Sequence, residues 1–174
     1  TVTKKVDAVR RCSSEGYYCD KISIEKLKHL VSKEAFNVDG LGKKVVEQFW
    51  NLNLIKEPAS IFELDYDKIL KLEGWGRLSI DNLKKSVAKS QTISLDKFIF
   101  SIGVRHIGQE NAKILADFFG SIKEFTKLFD LKHRNKILLN LADLDGIGET
   151  QIKSLNNFFL NKTNNRITRD LISK

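Results

Sequence analysis

Val38-Asp39-Gly40-Leu41-Gly42 is the stretch that decides the fold of this chain, because three similar stretches follow it. They are Leu72-Glu73-Gly74-Trp75-Gly76, Val104-Arg105-His106-Ile107-Gly108 and Leu144-Asp145-Gly146-Ile147-Gly148. Their final glycines lie 34, 32 and 40 residues apart. A period in this range is typical of an array of supersecondary units. The four stretches are called turns one to four below.

The residues after each turn predict a helix. Apolar residues recur four and seven positions after each final glycine, as at Val46 and Phe49 after turn one. That spacing forms one apolar side of a helix beginning at the glycine. The first glycine of each pair supplies the positive φ of a tight turn. The second opens a helix whose first N–H groups have no partner within it, so that an anion can approach them.

The sequence therefore predicts an all-α protein built of tandem helix–hairpin–helix repeats, with four copies packed as two pairs. The expected boundaries are a polar segment with both cysteines at 1–22, a first pair at 23–90, a second pair at 91–160 and a linker tail at 161–174. A single proline and few alternating β-branched runs agree with helices. One hairpin unit cannot bury its own apolar side, so pairing has to supply the core.

Several polar residues predict where individual helices begin. Ser23 and Asp65 are expected N-caps. Two capping boxes are expected, one of Ser60 with Glu63 and one of Ser121 with Glu124.

The composition favours a polyanionic partner. The chain has 30 Lys and Arg against 22 Asp and Glu, a formal net charge of +8. A domain this basic is typical of proteins that bind nucleic acid. No apolar stretch reaches membrane-spanning length and no secretory signal opens the chain. We therefore expect a cytoplasmic monomer that does not bind membranes.

The turns and their flanking side chains form the expected DNA contact. Turns one and two are followed by cations, whereas turn three carries a histidine where the other turns have glycine. Turn four is followed by Glu149, which opposes a phosphate, so this copy is expected to be more structural than the first two. The expected DNA-binding residues are Gly40, Gly42, Lys43, Lys44, Gly74, Gly76, Arg77, Arg105, His106, Gly108, Gln109, Gly146 and Gly148.

The two cysteines leave two interpretations open. Cys12 and Cys19 are separated by six residues. Two neighbouring thiolates can supply half of a tetrahedral zinc site, but a lone cysteine pair is more often two reduced thiols. None of the three histidines has a ligand-like spacing to them.

Two longer stretches resemble a known family. The runs His29–Gly42 and Phe98–Gly108, the second with Arg-His inside turn three, resemble bacterial NAD-dependent DNA ligases. The resemblance covers about residues 8–160. It implies that Cys12 and Cys19 are the second half of a four-cysteine zinc finger whose first cysteine pair is missing here. Asp20-Lys21-Ile22 stands where the family usually has a proline-containing segment.

The resemblance also implies a division of labour. Family members take AMP from NAD on the lysine of a KxDG motif, which this sequence lacks. NAD and magnesium would then be bound by the parent enzyme elsewhere, and this chain alone would be inactive. Nucleotidyltransferase and OB-fold domains are expected upstream and a BRCT domain downstream. The implied role is binding of duplex or nicked DNA, through the phosphate backbone and the minor groove and without sequence specificity, in an enzyme that seals nicks during replication and repair.

Two alternatives remain open. One is a tandem helix–hairpin–helix module of another repair or recombination protein, although the Arg105-His106 turn and the cysteine position disfavour it. The other is an all-helical protein-interaction domain whose glycines only make turns.

Overall fold

The computed structural model describes residues 20–173, and this part of the chain is entirely helical. It contains ten α-helices and two 3₁₀ helices, and no strand occurs within it. The α-helices are α1 Asp20–Val31, α2 Lys43–Asn51, α3 Tyr66–Leu70, α4 Arg77–Ser90, α5 Leu95–Ser101, α6 Gln109–Phe119, α7 Ile122–Phe125, α8 Leu131–Leu141, α9 Glu149–Leu160 and α10 Lys162–Ile172. The 3₁₀ helices are Pro58–Glu63 and Thr126–Phe129.

The helices predicted after the four turns are present. α2, α4, α6 and α9 each begin one residue after a final glycine. Their apolar sides are buried as the spacing predicts, for example at Val46 and Phe49 of α2 and at Leu115 of α6. The all-α prediction is confirmed for the described residues.

Aromatic rings form the centre of the second half of the chain. Phe125 is 0% exposed, and its ring centroid lies 6.1 Å from that of Phe98, 5.4 Å from that of Phe119 and 5.9 Å from that of Phe159. All three neighbours meet it edge to face, the arrangement that aromatic quadrupoles favour. This single ring therefore connects α5, α6, α7 and α9.

A buried arginine lies beside this cluster. Arg134 of α8 is only 3% exposed. Its guanidinium donates to the carbonyl oxygens of Leu128, at 3.2 Å, and Phe159, at 2.9 Å. Both carbonyls belong to the last turns of helices, where backbone acceptors lack partners. Arg134 thus caps the 3₁₀ helix Thr126–Phe129 and α9 with one charged group.

The two halves of the chain share one core. Buried side chains form a continuous cluster from Leu27 to Leu171 that crosses the expected boundary at residues 90 and 91. His29 of α1 adds a polar contact, because its Nε2 lies 2.7 Å from the carbonyl oxygen of Phe100. A carbonyl only accepts, so this ring nitrogen carries the proton. The halves therefore pack against each other.

The end of the chain differs from the prediction. Instead of the linker expected at 161–174, α10 runs over Lys162–Ile172 and buries Ile167, Thr168 and Leu171. Arg166 forms a bidentate ion pair with Glu57, at 2.6 and 3.1 Å, and joins α10 to the start of the 3₁₀ helix Pro58–Glu63. The linker prediction is wrong for this segment because its apolar stripe finds a surface formed more than a hundred residues earlier.

The predicted caps have mixed outcomes. The carboxylate of Asp65 and the hydroxyl of Ser121 cap their helices by accepting from the amides of Lys68 and Glu124. Ser23 is not a cap, because α1 already begins at Asp20 and encloses it. Ser60 is not one either. Its helix begins at Pro58, and its hydroxyl accepts from the amide of Glu57 instead.

Within residues 20–173, no helix is both long and apolar enough to cross a bilayer. The segment 1–22, expected to be a partial zinc finger, lies almost wholly outside the described residues, and so do Cys12 and Cys19.

The aromatic cluster generates a stability prediction. We expect Phe125→Ala to lower the free energy of unfolding by about 3 to 5 kcal/mol, because the cavity would lie where three other rings meet. Urea unfolding followed by circular dichroism measures it. Phe118→Ala is the matched control, since Phe118 is 36% exposed. Equal losses from both substitutions would show that Phe125 is not the centre of the core.

Candidate nucleic-acid interface

The four turns share one backbone hydrogen bond. The amide of the apolar residue between the glycines donates to the carbonyl oxygen three residues earlier, at 3.1 to 3.3 Å in every turn. The pairs are Leu41 with Val38, Trp75 with Leu72, Ile107 with Val104, and Ile147 with Leu144. Leu41, Ile107 and Ile147 are buried, and Trp75 is half-buried. The bond therefore turns the apolar side chain inward and leaves the flanking backbone outside.

The same position in each turn adopts a left-handed conformation. Gly40, Gly74 and Gly146 have φ values of 95°, 84° and 87°, and His106 in turn three has 66°. A β-carbon disfavours this region for most residues, although histidine is among those that enter it more often. His106 thus takes the same backbone conformation as the glycines that it replaces.

The final glycines of turns one to three offer open backbone. Gly42, Gly76 and Gly108 are exposed, and a β-carbon placed on any of them would have no neighbouring atom within 4 Å. Among the described residues, no hydrogen-bond acceptor is found for their amides. Each amide stands at a helix N-terminus, where the helix dipole favours negative charge. Turns one to three therefore present anion-ready N–H groups to solvent.

Unpaired cations flank these amides. Lys43 and Lys44 follow turn one, Arg77 follows turn two and Arg105 lies within turn three. All four side chains are exposed. None of them takes part in an ion pair within residues 20–173. Gln109, which opens α6, is also exposed and adds a polar side chain beside Gly108.

Turn four differs from the other turns at the amide of its final glycine, Gly148. The Gly148 amide donates to Oε1 of Gln151 at 2.9 Å, so it already has an acceptor. The next residue, Glu149, forms an ion pair with Lys153 at 3.2 Å. Gln151 was not among the predicted site residues. Its position three residues after the helix cap, where a glutamine reaches back to the cap amide, is the signal that could have identified it.

Turns one and four also pack against other helices. A β-carbon on Gly40 would lie 3.4 Å from Leu83 Cδ1 of α4, and one on Gly146 would lie 2.5 Å from Ile114 Cδ1 of α6. Turn one thus contacts the helix that follows turn two, and turn four contacts the helix that follows turn three. Close packing adds a second reason for glycine at these two positions.

The side chains whose pKa values are shifted belong to residues outside the four turns. A hydrogen bond to the Glu47 carboxylate raises the pKa of Lys28, and burial raises the pKa of Tyr66. The His133 side chain lowers the pKa of Asp130 by donating to its carboxylate.

Within the part of the chain that the structure describes, no three His, Cys, Asp or Glu side chains cluster as metal ligands would. What suits turns one to three to a polyanion is their exposed amides and the cations beside them.

Comparison with known proteins agrees with this geometry. Residues 97–168 match a family described as the helix-hairpin-helix motif, a span that includes turns three and four. Proteins named DNA ligase match nearly the whole chain. The relative from Pelagibacter ubique is 53% identical over 97% of this chain, and that from Rickettsia prowazekii is 38% identical over 95%. The relative from Azorhizobium caulinodans is 34% identical over 99%.

The match is confined to one part of these relatives. The chain spans 24% of the Pelagibacter protein, 25% of the Rickettsia protein and 27% of the Azorhizobium protein, about a quarter of each. The predicted resemblance to DNA ligases is confirmed over this span. By these matches, the chain is similar to a quarter-length segment of proteins named DNA ligase, and its residues 97–168 carry a helix–hairpin–helix motif.

Proposed function

We propose that this chain binds duplex DNA, without reading its sequence, as one part of an NAD-dependent DNA ligase. The observation that carries the proposal is the set of exposed amides at Gly42, Gly76 and Gly108, which have no acceptor within residues 20–173 and each have a nearby cation that forms no ion pair there. The name DNA ligase, shared by relatives along almost the whole chain, supports the same partner.

The binding mode follows from the chemistry of the turns. Phosphate oxygens accept hydrogen bonds from the helix N-terminal amides, and the dipoles of α2, α4 and α6 favour their charge. Lys43, Lys44, Arg77 and Arg105 add Coulombic attraction to neighbouring phosphates. Such contacts fix the position of the duplex and respond to the shape of the minor groove, but they carry no base-specific information. His106 and Gln109 join the contact at turn three.

The four turns are not equivalent in this proposal. Turns one to three bind phosphate directly through Gly40, Gly42, Gly74, Gly76 and Gly108 and their flanking residues. In turn four, Gln151 occupies the Gly148 amide and Glu149 adds a negative charge beside it. The main role of turn four is therefore structural. Gly146 and Gly148 contact DNA only when the Gln151 side chain moves aside. We also propose that the four turns pack as two pairs, on the basis of the contacts of Gly40 with α4 and Gly146 with α6.

Sealing of nicks in replication and repair would belong to the whole enzyme. The sequence has no KxDG lysine to accept AMP. We propose that upstream nucleotidyltransferase and OB-fold domains bind NAD and magnesium and carry out the chemistry, and that a BRCT domain follows this segment. The chain would act as a monomeric clamp in the cytoplasm, and it would be inactive alone.

Zinc enters the proposal only through Cys12 and Cys19. Structural zinc sites take four ligands, and two thiolates supply half of that set. We propose that these cysteines complete a four-cysteine finger with a pair contributed by the preceding part of the parent protein.

Charge reversal tests the cations beside turns one and two. We expect the triple variant Lys43→Glu, Lys44→Glu and Arg77→Glu to bind nicked duplex at least tenfold more weakly at low salt. Its log–log salt slope should flatten by about 0.9 for each phosphate that the protein no longer neutralises. Fluorescence anisotropy over a salt series measures both quantities, and circular dichroism should show unchanged helix content.

The control for this experiment has the same charge change elsewhere. Lys123, Lys132 and Lys136 lie on α7 and α8, are exposed and form no ion pair within residues 20–173. Their reversal to glutamate should weaken binding much less. Parent-like binding by the first variant would show that turns one and two do not face DNA. Parent chain that binds no duplex at all would favour a protein-interaction domain.

Added side chains test the amides themselves. Gly42→Val or Gly76→Val should weaken duplex binding more than Gly148→Val, because only the first two positions have free amides and open space above them. All three glycines have extended backbone that valine adopts without strain. Thermal melting should therefore show small stability changes, while anisotropy separates the variants. Equal losses of affinity at all three positions would contradict the ranking of the turns.

Complementation tests the assignment to a ligase. A DNA ligase relative truncated before the segment that matches this chain should seal nicked duplex poorly. Adding the chain in trans should restore part of the NAD-dependent sealing, measured as conversion of nicked to continuous strand on a denaturing gel. The Lys43, Lys44 and Arg77 reversal variant is the matched control and should restore less. Unchanged sealing on addition of the parent chain would favour a module of another repair protein.

A further inference from the structure

A groove lies beside turn one, and the DNA contacts proposed for the turns give it no role. It has a volume of about 600 Å³ and lies between the residues leading into turn one, α4 and the start of α5. Asn37 and Asp39 line one side, Lys85 and Lys89 of α4 line another, and Lys97 of α5 lies across from them. The groove is therefore bordered by three lysines from two helices.

The charge of this groove is unbalanced. Among the described residues that line it, Asp39 is the only carboxylate, against three ammonium groups. All three lysines are exposed, and no ion pair within residues 20–173 involves them. A lysine on a helix surface can pair with a carboxylate three or four residues away. Lys113, Lys127 and Lys153 do so here.

Asp81 of α4 could pair with a groove lysine but does not. It lies four residues before Lys85 on α4, the spacing and order that favour an ion pair on a helix. The two side chains nevertheless form no ion pair. Lys85 instead lines the groove, where Lys89 and Lys97 reinforce its positive potential. With Asp39 as the one carboxylate named in the lining, the three lysines give this concavity a net positive charge.

The position of the groove indicates what would fill it. Asn37 and Asp39 in its wall immediately precede Gly40, and Gly40 itself lies against Leu83 of the same helix α4. Lys85 and Lys89 are about 6 Å apart along the helix axis. Each strand of a duplex has one phosphate per 3.4 Å of its axis, so this interval corresponds to about two phosphates. The amides of Asn37 and Asn82 and the hydroxyls of Thr92 and Ser94 add neutral hydrogen-bonding groups of the kind that contact phosphates and sugars.

We propose that this lysine groove binds a further stretch of the sugar–phosphate backbone, next to the stretch bound at turn one. The inference rests on the duplex binding proposed above and extends its footprint beyond the glycine turns. Lys85, Lys89 and Lys97 contact phosphates in this arrangement, and Asn37 and Asn82 position the strand between them.

A triple neutralisation tests the groove. The whole chain carrying Lys85→Gln, Lys89→Gln and Lys97→Gln is compared with the parent and with a matched variant carrying Lys123→Gln, Lys132→Gln and Lys136→Gln. Both variants lose three positive charges, so any difference between them is due to the position of the charges. Binding to nicked duplexes of increasing length is measured by anisotropy over a salt series. Thermal melting verifies that each variant is folded.

The expected result is specific to the groove and to DNA length. On long duplexes the groove variant should bind at least tenfold more weakly than the matched variant, with a log–log salt slope lower by about two to three. The loss should shrink on the shortest duplex that the parent still binds, because that duplex ends before the groove. Lys85→Arg, Lys89→Arg and Lys97→Arg together should restore parent affinity, since arginine keeps the charge.

The failures of the two proposals are distinguishable. A parent chain that binds no duplex overturns the DNA-binding function itself. A parent that binds, with groove and matched variants that lose equal affinity at every duplex length, overturns only the groove, which would then be left to another occupant such as an acidic protein segment.

Discussion

The backbone hydrogen bond that closes each glycine turn is the constraint on which the rest of the structure depends. It joins the amide of the central apolar residue to the carbonyl three residues earlier, and it recurs four times with nearly the same length. Closing this short loop requires a left-handed residue at the tip, and it directs the central side chain into the core. The next glycine then begins a helix with its amide pointing outward. One local geometry therefore determines both the buried anchor and the exposed donor.

Features within a few residues of a turn were predictable from the sequence, because their causes are local. The starts of α2, α4, α6 and α9 follow from glycine spacing and apolar periodicity. The alignment of His106 with three glycines left open whether its turn is left-handed or different, and the structure has it left-handed. The caps at Asp65 and Ser121 depend only on the next three residues. The contacts of the expected DNA-binding residues with a ligand stay predictions, although the geometry of turns one to three is compatible with them.

Features that depend on distant contacts were not predictable in this way. Helix α10 is polar in composition and was expected to be a linker, but Arg166 and Glu57 meet across 109 positions of sequence. Arg134 is charged and would ordinarily be placed at the surface, yet two helix ends supply buried carbonyls for it. Ser23 reads as a cap, but α1 extends beyond it to Asp20 and buries it against the core. In each case tertiary packing overrides a local preference.

Gln151 has a consequence for how an array of this kind can change over evolution. Its side-chain oxygen accepts from an amide of the kind that turns one to three leave unpaired within residues 20–173, and it does so without altering the turn, its central hydrogen bond or the helix that follows. A single side chain can thus occupy the amide of such a turn while the backbone of the turn stays the same. Similar turns within one chain can then differ in whether their last amide is free to donate, through an exchange at one position on the first turn of the following helix.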